Sequence, residues 1–176
     1  DFLNKHSNVT ISYGEDGTGN IYNINNIKNF RELVGPNNAD FITADGGFDF
    51  SIDFNKQEQL SYRLIFCEII TALSIQKKGG LFICKVFDLY TYITISFIEL
   101  LQSLYENVYI TKPLTSRPAN SEKYIVCKKF KGIDFNYVKE LTNVIGLWDK
   151  NSEHILINDI FDTVIPSYYL KQIKNY

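Results

Sequence analysis

Between residues 57 and 87 the hydrophobic period changes once, and that change constrains the fold more than any other feature. Leu60, Leu64, Cys67, Ile70 and Leu73 recur at helical spacing, predicting a long helix over 57–78. Gly79-Gly80 is expected to end it. The apolar run Leu81-Phe82-Ile83-Cys84 follows at once. A run this short and apolar predicts a core strand of a parallel sheet, and a helix feeding directly into it belongs to an α/β layered protein. Lys85 interrupts the run before Val86 and Phe87 resume. Burying an unpaired ammonium costs several kcal/mol, on the order of 3–5, so Lys85 needs a partner or a task.

The rest of the chain keeps the alternation. "VTISYGEDGTGN" (9–20) reads as a short strand and a Gly/Asp-rich loop. Asn25 is placed to cap a helix over 26–34, which Gly35-Pro36 stops. "DFITADGG" (40–47) is a strand ending in a turn. After the 81–87 strand, a helix over 91–106 gathers Ile93, Phe97, Leu100, Leu101 and Leu104 on one face. "VYITKP" and "EKYIVCK" are two strands separated by "LTSRPANS", and 134–145 is a helix. The pattern predicts a mostly parallel α/β sheet with a late antiparallel hairpin.

At 176 residues the chain can bury one substantial core. It has no apolar stretch of the roughly 18 residues that a membrane span needs, so no membrane role is expected, and no secretory start. Cys67, Cys84 and Cys127 each sit in an apolar segment without C-x-x-C spacing and read as reduced core residues. His6 and His154 stand singly, so no metal site is expected. A net charge of −2 argues against holding nucleic acid by bulk electrostatics alone. The chain has no methionine and begins at Asp1, so a longer polypeptide is expected around it.

In α/β sheets function gathers beyond the carboxyl ends of the strands. Asp45 ends the 40–45 strand, and Lys85 lies toward the same end of its own. Glu122 opens the last strand, so an antiparallel direction there brings it to the same edge. Desolvation favours the neutral form of an amine, and a nearby carboxylate can orient it, which suits a general base. The bland alternatives are a structurally paired lysine, a plain Asp-Gly-Gly turn, and a "GEDGTGN" loop that lacks either established phosphate-loop pattern.

Taken in order, "ADGGF", "GGLFICKVFDLYT" and "KPLTSRPANSEKYIVCK" resemble the FtsJ-like ribose 2′-O-methyltransferases, and within them the cap-specific mRNA (nucleoside-2′-O-)-methyltransferases. The resemblance runs over about 13–132 and implies a Rossmann-like S-adenosylmethionine-dependent methyltransferase sheet, here as a partial domain. It makes 1–132 the C-terminal part of the catalytic domain and 133–176 a helical extension. It also implies S-adenosyl-L-methionine as methyl donor, the capped mRNA 5′ end as substrate, and other capping or transcription machinery as partners. The compartment would be the nucleus for a cellular enzyme and the cytoplasm for a viral one.

Of the family's Lys-Asp-Lys-Glu tetrad, the resemblance carries over Asp45, Lys85 and Glu122 as catalytic residues. It implies donor contacts from Asn20, Ile21 and Asp45, with Asn20 standing where many relatives carry Asp. It assigns RNA contacts to Asn55, Ser116, Arg117 and Asn120, and Arg117 has the alternative of pinning its loop. The first tetrad lysine and the Gly-rich donor turn have no match in residues 1–20, so residues 1–176 alone are expected to be inactive or very weak. Two rivals stay open: a non-catalytic RNA- or partner-binding member, and a 2′-O-methyltransferase of ribosomal or transfer RNA.

Overall fold

The computed structural model of the chain describes residues 5–47, 56–117 and 119–150, with side chains up to 147. Helix α1 (Ile24–Val34) is followed by strand β1 (Ala39–Ala44), helix α2 (Gln57–Ile75) and strand β2 (Gln76–Val86). Helix α3 (Tyr92–Leu104), strands β3 (Tyr105–Thr111) and β4 (Lys123–Phe130), and helix α4 (Phe135–Lys150) complete it. The sheet order is β1-β2-β4-β3. β1 and β2 run parallel, while β4 lies antiparallel between β2 and β3. The fold is therefore α/β with a mixed sheet rather than the mostly parallel one expected. Among the described residues only the β1–β2 pairing is parallel, because β4 inserts antiparallel beside β2. The late hairpin is antiparallel as expected.

Helix α3 ends at Leu104 rather than at 106, because Tyr105 takes extended backbone and starts β3. Four further boundaries differ from the sequence reading, each for a physical reason. Helix α1 is capped by Asn23 rather than Asn25, because the Asn23 side chain accepts the N–H of Asn25. Residues 9–12 form no strand, since nothing among the described residues pairs with them. Helix α4 runs on to Lys150, past the expected end at 145. Helix α2 ends at Ile75, not at Lys78, and Gln76 already has extended backbone.

That last ending is made by contacts remote in sequence. The Asn38 N–H donates to Ile75 O at 2.8 Å, and the Tyr105 hydroxyl donates to the buried Gln76 side chain. Gly79-Gly80 then serves a bulge rather than a helix cap. The step from Ala39 to Phe41 on β1 spans Gln76 to Leu81 on β2. Gly79 has φ +83°, and a Cβ on Gly80 would come within 2.8 Å of Lys77 O and 3.0 Å of Asp40 O.

The core lies between one face of the sheet and the helices. Phe82, Cys84, Val86, Ile125 and Cys127 are fully buried there, against Phe66, Ile69 and Ile70 of α2 and Phe97, Ile98 and Leu101 of α3. Each such aliphatic or aromatic side chain contributes about 1.5–3 kcal/mol by leaving water. All three cysteines are free and buried, as expected for core residues. Leu60 departs from its expected core position and is 51% exposed, although Cys67, Ile70 and Leu73 are buried. Helix α2 is instead buried on several sides, because α1 and α4 also pack on it.

Leu81, Ile83 and Lys85 point to the opposite face of β2 and are only partly buried. This resolves the lysine in the apolar run. Its neighbours in sequence enter the core, while Lys85 itself stands on the other face.

Candidate active site

The parallel pairing of β1 with β2 sets Ala44 beside Cys84, so the next residue of each strand meets at one edge. Lys85 Nζ lies 2.5 Å from an Asp45 carboxylate oxygen and also donates to the Asp45 carbonyl at 3.5 Å. The Lys85 side chain is 16% exposed and that of Asp45 is 64% exposed. An ion pair with so much solvent on one member stabilises the fold by only about 0–1 kcal/mol, so its main consequence is the orientation of the amine. The Phe87 ring lies 5.9 Å from Nζ.

β4 arrives antiparallel and pairs Tyr124 with Lys85. Glu122, two residues earlier, therefore reaches the same edge. One Glu122 oxygen accepts the Tyr124 hydroxyl at 2.7 Å, and the other accepts Asn120 Nδ2 at 3.4 Å. The hydrogen bond to Glu122 pushes the Tyr124 phenol up to about 12, with burial and the Asp45 and Glu122 charges adding to it. Glu122 makes no ion pair with Lys85 among the described residues; Tyr124 is the residue that relates them.

The loop before β4 borders a cavity of about 950 Å³ with Arg117, Asn120, Ser121 and Glu122 on one side. Glu58, Asp88 and Tyr90 line the other. Ser116 does not line it, and its hydroxyl turns to Asn120 Oδ1 at 3.3 Å. Asn55 lies outside the described residues.

On the other side of β1, Ile21, Asp45 and Glu68 share a second cavity, of about 510 Å³, with residues of α1, β1 and α2. The loop before α1 is organised by Asp16, which accepts from the Thr18 N–H and hydroxyl, Asn23 and Asn26. The two Thr18 bonds, then Asn26 and Asn23, hold the Asp16 carboxyl well below the usual carboxylate range. Asn20 spends its side-chain oxygen on the Tyr22 N–H, inside this loop.

The FtsJ-like methyltransferase family matches residues 2–130. The chain belongs to that family. Three relatives, each named cap-specific mRNA (nucleoside-2′-O-)-methyltransferase 1, place this FtsJ-like chain more closely. The protein of Homo sapiens is 48% identical over 130 residues, covering 69% of this chain and 16% of the relative. The protein of Xenopus laevis is 45% identical over 173 residues, covering 93% and 20%. The protein of Drosophila melanogaster is 35% identical over 154 residues, covering 85% and 20%. The chain thus spans about one fifth or less of the curated relatives it matches. Among solved structures, one described as a ribosomal RNA methyltransferase of Plasmodium falciparum covers 71% of this chain and 64% of its own, at 22% identity and TM-score 0.46.

Several residues that order this sheet edge and the cavity beside it carry no signal in the sequence. Lys112 donates to Asn120 O, Asn120 Oδ1 and Glu122 O at 2.6–3.0 Å, closing the base of the loop. The buried Glu58 accepts from the Tyr90 and Thr91 N–H groups and the Thr91 hydroxyl, fixing the start of α3 beside the larger cavity. Ser121 donates to Gln57 at 2.8 Å, tying the loop to α2. A lysine just after a strand and a glutamate opening a helix are ordinary surface patterns. Only the tertiary contacts distinguish these.

Proposed function

We propose that the protein containing this chain transfers the methyl group of S-adenosylmethionine to the ribose 2′-hydroxyl of the first transcribed nucleotide of capped mRNA. The observation that carries this reading is the Lys85–Asp45 pair, which stands at one sheet edge with Glu122 bordering a large open cavity. The names of relatives at 35–48% identity support the choice of capped RNA over ribosomal or transfer RNA. Other capping or transcription machinery is the matching partner class. Capped RNA as substrate would place a cellular protein in the nucleus and a viral one in the cytoplasm.

In this reading Lys85 Nζ takes or polarises the proton of the ribose hydroxyl. Asp45 aims the amine, because its carboxylate and its carbonyl both receive Nζ. Glu122 and Tyr124 fix the β4 side of the cleft. Arg117 and Asn120 border the cavity where the RNA backbone would lie, and Ser116 supports Asn120. Asn55 is the further RNA contact.

The second cavity suits an adenosyl group: Ile21 and α1 and α2 side chains give it apolar walls, and Asp45 gives it an acceptor for hydroxyls. Ile21 and Asp45 would hold the donor there, while Asn20, which does not line the cavity, would support Ile21 through its bond to the Tyr22 N–H. When bound, the donor supplies an electrophilic sulfonium methyl group. Holding a weak nucleophile beside a base and that methyl supplies most of the rate.

The test is methyl incorporation by the complete protein on matched RNAs with and without a 5′ cap. Capped RNA should be methylated at the first ribose, at least about 10-fold faster than uncapped RNA. Equal rates would move the substrate to ribosomal or transfer RNA. No transfer to any RNA, with RNA binding intact, would favour a non-catalytic role.

A further inference from the structure

One carboxylate near Lys85 belongs to none of the roles above. Glu68 sits in the middle of α2 and is only 9% exposed. A buried carboxylate costs several kcal/mol, roughly 3–5 unless well paired, so its presence in an apolar helix calls for a reason. Its Oε1 accepts the N–H of Gly46 at 2.7 Å, and its Oε2 lies 3.8 Å from the Cys84 thiol. Gly46 directly follows Asp45. A Cβ at Gly46 would come 2.5 Å from Glu68 Oε1 and 2.7 Å from Leu64 Cδ2, so the turn rests on these two α2 side chains.

We propose that Glu68 is a positioning residue: by holding the Gly46 N–H it fixes the turn that presents Asp45 to Lys85. The inference rests on the methyl-transfer reading and adds a third carboxylate to it, acting from beneath the sheet edge. The path is short. Glu68 sets the Asp45–Gly46 peptide, and the Asp45 carboxylate and carbonyl set Nζ of Lys85. Asp45 and Lys85 are the charged groups that bear on Glu68, and the Cys84 thiol hydrogen-bonds to it. The Glu68 charge in turn raises the Cys84 thiol and the Tyr22 phenol. Burial pushes its carboxyl up, the Gly46 bond, the Lys85 charge and the Cys84 thiol draw it down, and Asp45 pushes it up again.

The test uses the complete protein. Glu68→Leu removes the acceptor, and Glu68→Gln keeps an oxygen for Gly46. Glu68→Leu should lower kcat about 10- to 100-fold with KM for capped RNA nearly unchanged, since a small misplacement of a reacting group costs that much. Glu68→Gln should restore kcat to within about 5-fold of wild type. Hydrogen exchange at the Gly46 amide should quicken in Glu68→Leu alone. In the wild-type protein the Gly46 amide resonance should shift with pH as Glu68 titrates, which needs no variant to fold.

A flat Gly46 resonance would remove the contact and the proposal with it. Unchanged kcat in Glu68→Leu, or equal losses in Leu and Gln, would remove the positioning role. If the wild type transfers no methyl to any RNA, the reaction fails, while the Gly46 measurements still decide the contact.

Discussion

The two polar frameworks around the site are built on different scales. The Asp16 loop closes on itself: its acceptor bonds reach only 2 to 10 residues along the chain. The Lys85 cluster joins groups 16 to 40 residues apart, through Asp45, Gly46 and Glu68. The first needs little beyond its own turn and the start of α1. The second exists only when β1, α2 and β2 are all in place. Damage to the loop should therefore stay local, while damage to the cluster should act on the chemistry.

Lys85→Ala gives the largest expected effect. Losing a general base lowers the rate about 10²- to 10⁴-fold. Donor affinity, measured by calorimetry beside the transfer rate, should stay close to wild type, since no donor contact is assigned to Lys85. Substantial residual transfer would assign the proton to another group.

Lys112→Met comes next and tests the β3–β4 loop as an extension of the cluster. It strands three oxygens that Lys112 now serves. The cost should be about 1–3 kcal/mol in denaturant unfolding. Transfer should fall about 10-fold as Glu122 and Asn120 loosen. A stability loss with full activity would detach this loop from the chemistry.

Asp16→Ala should be milder and differently placed. Thr18, Asn23 and Asn26 lose a common acceptor in a solvent-exposed loop. The expected result is a raised KM for the donor at unchanged kcat. A kcat loss comparable to that of Lys85→Ala would show the two frameworks to be one.

The same contrast explains what could be read in the sequence. That Asp45, Lys85 and Glu122 come to one sheet edge is legible because strand ends are local features, and the edge follows from strand direction. The pairing of Asp45 with Lys85 at that edge agrees with the reading. The end of α2 was not legible: Gln76, Lys77 and Lys78 are good helix residues, and the stop comes from Asn38 and Tyr105. Residues 9–12 alternate in polarity yet form no strand, because alternating apolar residues describe a strand only when a neighbour exists. Glu68 was invisible for a similar reason. Its position reads as one polar site in an apolar helix, and only the β1 turn lying over it makes it a buried carboxylate.

The smallest effect tests the comparison most directly, because the two carboxylates are shifted in opposite directions. Burial pushes Glu68 above its ordinary value of 4.5, so the folded chain holds that proton more tightly than the unfolded chain does. Its contribution to stability is then greatest below the ordinary value and falls as pH rises through the folded pKa. Asp16 is held well below its ordinary 3.8, so its contribution is present above that value and is lost as pH falls. Neutralising each should reveal opposite slopes. From pH 4.5 to 7.5, Glu68→Gln should gain thermal stability relative to wild type, by about 1–3 °C. From about pH 4 down to pH 2.5, Asp16→Asn should narrow whatever deficit it shows without closing it, because the folded carboxyl titrates well below its ordinary value. Melting curves of the complete protein across pH 2.5–7.5 decide this, and slopes of the same sign would mean that the buried and the exposed carboxylate are held alike.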